Sequence, residues 1–232
     1  MLAVCMCLML CKLFLKEGLS TGMKKLDEFT FCTLENSPDP ARLLWKTEER
    51  HNSAKTVLFD VNSVHRKGPD GREGDFVELD FVRGGITIIP FFFGTDGIAR
   101  FVMERQYRHG SESVTLEFPA GLVEKGEPEA EAAARELLEE TGLKAKTMSY
   151  LGTVCQNSAY MKCPSAFFLA ENLTVETDIK DRLLDENEQI DILTVPVSYV
   201  LDNIGEGGLT NGAALQSIPF FLREMRRRKI SF

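Results

Sequence analysis

Three stretches early in the chain alternate polar residues with aromatic and β-branched ones, as half-buried strands do: residues 43–50, 56–65 and 75–82. A run of turn-forming residues at 67–71 (Lys-Gly-Pro-Asp-Gly) separates the last two stretches. Consecutive strands joined by short turns usually pair side by side, so the pattern predicts an antiparallel meander.

The pattern becomes more apolar beyond Gly85. An apolar run at 86–93, a Gly-Thr-Asp-Gly turn at 94–97 and a further run at 98–107 predict a hairpin of buried strands. We therefore divide the chain into an apolar leader or mis-assigned start, an N-terminal antiparallel β region and a larger domain, at residues 1–22, 23–84 and 85–232.

The larger domain also has helical patterns. A segment from Pro128 to Thr141 is rich in Ala, Glu and Leu, has no internal glycine or further proline, and is followed by Gly142. Such a segment predicts a helix, because glycine is the preferred residue just beyond a helix end. Further along, the pattern predicts strands and then helices, at 148–155, 165–170 and 189–195, and at 197–204 and 212–227.

Composition limits the class of partner. The chain has 232 residues and a formal net charge of -8, which argues against a general affinity for nucleic acid. A basic stretch at 223–229 (REMRRRK) falls in the last turns of a predicted helix, where the helix dipole favours cations. We therefore interpret it as a solvated helix end and expect no nucleic-acid partner.

Cysteine usage and the first residues bear on location. The six cysteines show no metal-type pairing, so we expect reduced thiols and a cytoplasmic protein. The apolar segment Met1–Leu15 lacks the basic start and cleavage site of a secretory signal and is too short to cross a bilayer comfortably, so no membrane association is expected. Translation starting at Met23 is the alternative explanation of this segment.

The candidate chemistry lies in residues 121–143, GLVEKGEPEAEAAARELLEETGL. On a helix, Glu136 and Glu140 lie about 40° apart, and Glu139 lies about 60° to the other side of Glu136, so three carboxylates share one face. Carboxylates about 5.5 Å apart repel by about 3 kcal/mol per pair, which a divalent cation would relieve. Oxygen ligands of this kind favour Mg²⁺, with Mn²⁺ possible, and such ions promote attack of water on a diphosphate.

Other residues of this segment have a structural interpretation. Glu127 and Arg135 lie at the junction of loop and helix, where an ion pair would brace the loop, and Gly121 and Gly142 would relieve crowding at the two ends. A solvated acidic helix face is the alternative for the three carboxylates. It is disfavoured because, within the predicted helix, no Lys or Arg lies four residues beyond any of them.

The segment resembles the Nudix box without a departure, and a looser similarity to the ADP-ribose and ADP-sugar pyrophosphatase branch extends from Trp45 to Arg227. The resemblance implies an α/β fold, a Nudix-type α/β/α sandwich with a mixed sheet, plus an N-terminal antiparallel β region that builds a homodimer. It also implies that Glu136, Glu140 and the carbonyl of Ala120 bind metal, with support from Glu139.

Outside the box, the resemblance implies further site residues. Arg108 matches a phosphate-contacting arginine, and Glu117 matches a residue that helps to hold the substrate. Glu188 matches a late acidic residue that acts as general base, with Glu186 as the competing candidate. Trp45 could stack on an adenine, although a buried core tryptophan is an equal alternative. Glu139, Glu140 and Glu188 are thus the candidate catalytic residues.

One segment departs from the pattern of the ADP-ribose enzymes. Where those enzymes commonly have a proline-containing turn, this chain reads Gln-Asn-Ser-Ala-Tyr at 156–160, with no proline before Pro164. Hydrolysis of ADP-ribose or a related ADP-sugar is the expected activity. UDP-sugars and GDP-sugars stay open as substrates, and a non-hydrolysing sensor of nucleotide sugars is the alternative from another class.

Overall fold

The computed structural model describes residues 37–178, 181–182, 184 and 189–232. The chain divides into two units, Met1–Leu44 and Trp45–Phe232. In the described part of the first unit, the Asp39 side chain caps a short 3-10 helix at Pro40–Leu43 by accepting a hydrogen bond from Ala41 N at 2.9 Å. The leader predicted at 1–22 and the alternative start at Met23 lie outside the described residues.

The second unit contains seven strands, a helix, four further strands and two helices. In chain order they are β1 (Lys46–Lys55), β2 (Phe59–Lys67), β3 (Glu73–Phe81), β4 (Gly85–Phe93), β5 (Ala99–Arg108), β6 (Ser113–Glu117), β7 (Ala120–Leu122), α1 (Glu129–Thr141), β8 (Leu143–Cys155), β9 (Met161–Lys162), β10 (Pro164–Val175), β11 (Ile190–Pro196), α2 (Val197–Asp202) and α3 (Gly212–Arg228).

The first sheet has the order β1-β2-β3-β9. Strands β1, β2 and β3 pair antiparallel, which confirms the predicted meander. The short strand β9, from much later in the chain, adds to β3 in parallel, with Leu79 opposite Met161. The sheet is therefore completed by residues of the larger predicted domain.

The second sheet has the order β11-β5-β4-β10-β8, with β6 paired to β5 and β7 paired to β4. Strands β4 and β5 form the predicted antiparallel hairpin, with Phe91 opposite Phe101. Strand β10 runs parallel to β4 and antiparallel to β8, so the sheet is mixed. Because β4 lies at the centre, side chains on both of its faces are buried.

Helices cover both faces of this sheet. On one face, α1 packs Ala132, Ala133 and Leu137 against alternate residues of β4 and β10, among them Ile88 and Phe168. On the other face, the intervening strand residues pack against α3, in a larger cluster that includes Ile89, Phe167, Leu169, Ile218 and Phe221. Each fully buried large apolar side chain contributes about 1.5–3 kcal/mol. The predicted α/β/α sandwich is confirmed.

Local sequence sets the ends of α1. Pro128 precedes the first turn, where its missing N–H costs nothing, and Glu129 and Glu131 favour the positive end of the helix dipole. Gly142 ends the helix at φ 72°, and its N–H donates to Leu138 O at 2.8 Å. A Cβ at Gly142 would lie 2.3 Å from the backbone oxygen of Thr177, so only glycine fits. The carboxylate helix is thus placed rigidly against the sheet.

Among the described residues, no helix is long and apolar enough to cross a membrane.

Candidate active site

Arg135 lies at the centre of the acidic residues of the 121–143 segment. Its Nε and Nη2 donate to the two carboxylate oxygens of Glu127 at 3.0 and 3.1 Å. Its Nη1 donates to Glu136 at 2.8 Å and to Glu139 at 3.0 Å. The hydrogen bond to Glu127 raises the pKa of Arg135 above its already high usual value, and the contacts with Glu136 and Glu139 raise it further. Burial lowers this pKa but does not cancel the increase. One guanidinium therefore braces the loop and offsets part of the charge of two helix carboxylates.

Glu140 points from α1 toward the sheet. Its side chain is 4 % exposed, and its Oε2 accepts a hydrogen bond from Ala120 N at 3.0 Å. Ala120 lies on β7, opposite Thr87 of β4. The pairing of β7 with the central strand β4 thus places Ala120 against the helix of the 121–143 segment. Ala120 and Glu140 are in contact there although they are 20 residues apart in the chain.

Gly121, on β7, lies beside the Glu136 side chain of the helix. A Cβ there would lie 2.1 Å from the Cδ and Oε1 atoms of Glu136. We expected Gly121 and Gly142 to relieve crowding at both ends of the segment. The crowding at Gly142 is against backbone, whereas at Gly121 it is against the Glu136 carboxylate.

Arg108 and Glu117 form a two-pronged ion pair between β5 and β6. Arg108 Nε and Nη2 donate to Glu117 Oε1 and Oε2 at 2.9 and 2.7 Å. Thr115 Oγ1 also donates to Glu117. Among the described residues, Arg108 Nη1 has no hydrogen-bond acceptor, so one edge of the guanidinium remains available. The Glu117 partner raises the pKa of Arg108 and keeps it charged.

These groups surround one cavity of about 470 Å³. Its lining brings Arg108 together with the helix carboxylates, and it adds a residue that the sequence analysis missed, Arg83, from the turn between β3 and β4. The lining residues are Arg83, Arg108, Ala120, Gly121, Leu122, Glu124, Arg135, Glu136, Glu139 and Glu140. The cavity is mostly polar and presents both cations and carboxylates, as a site for a phosphate group and a divalent cation would.

The donor set fits a divalent cation by chemistry, since carboxylate oxygens are hard ligands. In the described ranges, no three His, Cys, Asp or Glu side chains are placed closely enough to hold one ion. The reason is visible in the contacts: Glu136 and Glu139 turn to Arg135 Nη1, while Glu140 turns to Ala120 N. A cationic group thus already lies between two of the carboxylates.

Comparison with known proteins agrees with this geometry. The NUDIX domain family matches residues 86–203, just over half of the chain. The chain belongs to the Nudix family. It is therefore a Nudix hydrolase, and the carboxylate helix is the helix of its Nudix box.

Individual relatives extend the similarity. The chain is 29% identical over 185 residues to the ADP-ribose pyrophosphatase of Saccharomyces cerevisiae, covering 75% of this chain and 72% of the relative. It is 29% identical over 174 residues to the ADP compounds hydrolase NudE of Escherichia coli, covering 74% of this chain and 87% of the relative. A crystal structure of an ADP compounds hydrolase shares the fold, with a TM-score of 0.68, 23% identity, and coverage of 79% of this chain and 95% of that one.

Two residues that were expected at the Nudix site, Trp45 and Glu188, are not among the described residues that line the cavity. Trp45 is 37 % exposed and packs edge-to-face on Phe76 with ring centroids 5.6 Å apart, and it does not line the cavity. Glu188 and its competitor Glu186 lie outside the described residues. Arg182 precedes these two residues in the chain and Ile190 follows them. Arg182 donates to the backbone oxygens of Glu140 and Ile190. The described chain before and after the acidic segment therefore lies beside the end of the Nudix helix.

Glu104, on β5, lies opposite Glu117 of β6 and was missed as a candidate residue. It is 0 % exposed, and burial raises the pKa of its carboxyl group well above the usual range, an effect opposed by the neighbouring Glu140 and Arg108. The sequence held one signal, a glutamate directly after the apolar run Phe101–Met103 of the strand.

Proposed function

We propose that this Nudix hydrolase cleaves the diphosphate of ADP-ribose or a related ADP-sugar, giving AMP and a sugar phosphate. The cavity shared by Arg108 and the three box carboxylates is the observation that carries the proposal. The similarity to an ADP-ribose pyrophosphatase and to ADP compounds hydrolase NudE supports the choice of an ADP compound.

We infer that Mg²⁺ is the cation, with Mn²⁺ as a substitute, and that Glu136, Glu139 and Glu140 hold it together with Ala120. When bound, such a cation neutralises charge on the diphosphate oxygens and makes water a better nucleophile. The hydrogen bonds from Arg135 Nη1 to Glu136 and Glu139 would be exchanged for contacts with the cation. The pair between Arg135 and Glu127 can persist, since it uses Nε and Nη2.

Arg108 is suited to bind a phosphate of the substrate. Glu117 occupies Nε and Nη2 and so fixes the direction of the guanidinium plane. The remaining N–H groups on Nη1 can donate to a phosphate oxygen without breaking the pair, and such charge-assisted bonds are among the stronger ones in proteins. Glu117 then acts on the substrate through Arg108.

Glu188 is proposed as the general base, with Glu186 as the competitor. The contacts of Arg182 with Glu140 and Ile190 support this choice, because they hold the described neighbours of the acidic segment at the Nudix helix. A carboxylate near the cavity could take the proton from the attacking water.

The sheet of β1, β2 and β3 supports a homodimer. Every residue of β1 is exposed, and among the described residues β1 pairs on one side only, with β2, so its other edge can pair with a second copy. We propose a cytoplasmic location, which the free thiols of Cys155 and Cys163 support. A mass in solution of twice 26.0 kDa by light scattering would agree with the dimer, whereas a mass of 26.0 kDa would contradict it.

A substrate screen with a matched variant tests the function. We expect Mg²⁺-dependent release of AMP from ADP-ribose or an ADP-sugar, in preference to UDP-glucose and GDP-mannose. Glu140→Gln should lower kcat by about 1,000-fold or more, since the direct cation contact is lost while the side-chain shape is kept. Circular dichroism should show an unchanged fold. Turnover by Glu140→Gln at the rate of the unmodified enzyme would refute the assignment of Glu140 as a cation ligand. A preference for UDP- or GDP-sugars would show that the substrate is not an ADP compound.

A further inference from the structure

Arg83 is a cationic residue of the candidate site that lies outside the Nudix box. It belongs to the turn between β3 and β4, and it lines the site cavity of about 470 Å³ together with Arg108 and the three box carboxylates. It also lines a neighbouring cavity of about 530 Å³, whose lining consists of residues 82–84 and 123–127. Arg83 and Glu124 belong to the linings of both cavities, so the two cavities adjoin at these residues.

The backbone around Arg83 is attached to the loop of the Nudix box. Val123 N donates to Gly84 O at 2.9 Å, and β4 pairs with β7 directly after the turn. The end of β7 is held in addition by Arg135, whose Nη2 donates to Leu122 O at 3.2 Å. The turn that carries Arg83 is therefore bonded to the same strand and loop that shape the site cavity.

The side chain of Arg83 differs in its partners from the other two arginines of the site cavity. Arg135 is bound to three glutamates of the box, and Arg108 is paired with Glu117 through two hydrogen bonds. The exposed side chain of Arg83 makes no hydrogen bond and no ion pair within the part of the chain that the structure describes. A guanidinium has five N–H donors in a planar fork, and those of Arg83 are therefore available to an anion in the cavity.

Arg83 and Arg108 enter the cavity from neighbouring strands. Because β4 and β5 are antiparallel, the start of β4 and the end of β5 lie at the same end of the sheet, and these are the places of Arg83 and Arg108. Two guanidinium groups in one cavity match the two phosphates of a diphosphate, since each phosphate can accept paired N–H bonds from an arginine. The part of the substrate attached to the phosphate at Arg83 would then continue into the neighbouring cavity.

We propose that Arg83 is a substrate-binding residue, which holds the phosphate of the substrate half that extends into the neighbouring cavity, while Arg108 holds the other phosphate. The inference rests on the proposed hydrolysis of a diphosphate and deepens it, because it assigns the two halves of the substrate to different parts of the protein. Val82 and Val123 supply apolar walls to the neighbouring cavity, and Lys125 adds a cation. Such a lining suits the ring of a sugar or a base.

Kinetics of Arg83→Ala in the full chain test the contact on the substrate preferred in the screen. We expect KM to rise by about 10- to 100-fold, because hydrogen bonds between charged groups are lost. We expect kcat to change by less than about 3-fold, because the phosphate is held alike before and during the reaction. Arg83→Lys should recover part of the loss, since it keeps the charge but not the fork.

Binding of the two monophosphate products, measured by calorimetry with Mg²⁺, separates a direct contact from a general effect of charge. For ADP-ribose these products are AMP and ribose 5-phosphate. Each product carries one phosphate, so Arg83→Ala should weaken one of them by about 10-fold or more and leave the other within about 3-fold. The product that loses affinity identifies the half of the substrate that lies in the neighbouring cavity.

Arg226→Ala is the matched control. Arg226 is exposed on α3 and lines neither cavity, so its substitution removes the same charge without touching the site. It should leave KM and both product affinities unchanged. An unchanged KM in Arg83→Ala, or an equal loss of affinity for both products, would overturn the role of Arg83 and leave the proposed function intact. Failure of the unmodified protein to hydrolyse any diphosphate of the screen would overturn the proposed function, and the role of Arg83 with it.

Discussion

Gly121→Ala is a sharp test of the site, because a single methyl group would press on one carboxylate. The added Cβ would lie 2.1 Å from the Glu136 carboxylate, and ordinary contact begins at 3.4 Å, so the carboxylate must retreat by the difference, about 1.3 Å. The neighbour is the end of a flexible side chain, and Gly121 does not have the positive φ that disfavours alanine. The fold can therefore accept the substitution.

The expected result is a loss of activity without a loss of stability. A displacement of about 1 Å in a reacting constellation can cost about 100-fold in rate, which corresponds to about 2.7 kcal/mol of transition-state free energy. We expect kcat for release of AMP to fall by about that factor. We expect the free energy of unfolding to change by less than about 1 kcal/mol, as for most substitutions that displace no core atom.

Gly212→Ala is the control for the assay, since a Cβ at Gly212, on the opposite side of the sheet, meets no atom within 4 Å. It should leave kcat unchanged, and it should leave the free energy of unfolding unchanged or raise it by less than about 1 kcal/mol, because alanine suits a helix better than glycine. Steady-state kinetics at saturating Mg²⁺, with urea unfolding followed by circular dichroism, measure the two quantities. Activity of Gly121→Ala equal to that of Gly212→Ala would refute the role given to the Glu136 carboxylate at this contact.

The remaining predictions concern the two ends of the site. Gly142→Ala should lower the free energy of unfolding by about 1–3 kcal/mol, because φ is 72° and the Cβ would meet the Thr177 backbone oxygen. Urea unfolding measures this change, and an unchanged unfolding midpoint would contradict it. Glu188→Gln should lower kcat by about 100-fold or more and leave Mn²⁺ affinity unchanged, as expected for a general base, with Glu186→Gln as the matched comparison. A larger loss in Glu186→Gln would reassign the base to that residue.

Much of the fold could be predicted because its signals are local. The ends of α1 follow from Pro128 and Gly142, and the predicted helix agrees with Glu129–Thr141 within a residue. The β4–β5 hairpin follows from the turn residues at 94–97. By contrast, β6, β7 and β9 are short; β7 and β9 pair with strands distant in the chain, β4 and β3, and β6 pairs with β5. No local pattern of so few residues distinguishes them from loops.

The first strand shows how an apolar residue can mislead. Leu43 and Leu44 suggested that the strand starts at residue 43, but they are 62 and 71 % exposed, and the strand begins at Lys46. The reason is local: Asp39 caps a 3-10 helix that ends at Leu43. An apolar pair next to a capping signal therefore indicated a strand where the chain makes a turn.

The site itself was predictable in its members but not in its contacts. The spacing of Glu136, Glu139 and Glu140 places them on one helix face, and the structure lines one cavity with them. The burial of Glu104 depends on β5 lying between β11 and β4 with β6 beside it, and no local pattern contains that arrangement. Its sequence signal, a charged residue directly after an apolar run, does not say which groups it will meet.

The contacts of Arg135 show why the carboxylates need not repel one another in the absence of a divalent ion. At an effective dielectric near 20, two unit charges about 3 Å apart attract by about 5 kcal/mol, and a divalent ion at a similar distance attracts about twice as strongly. A divalent ion can therefore compete for Glu136 and Glu139, which share Nη1. It cannot compete for Glu127 at that position, because Glu127 is bound on the other edge of the guanidinium. The same arginine can thus release the helix carboxylates to a cation while it continues to hold the loop that shapes the cavity.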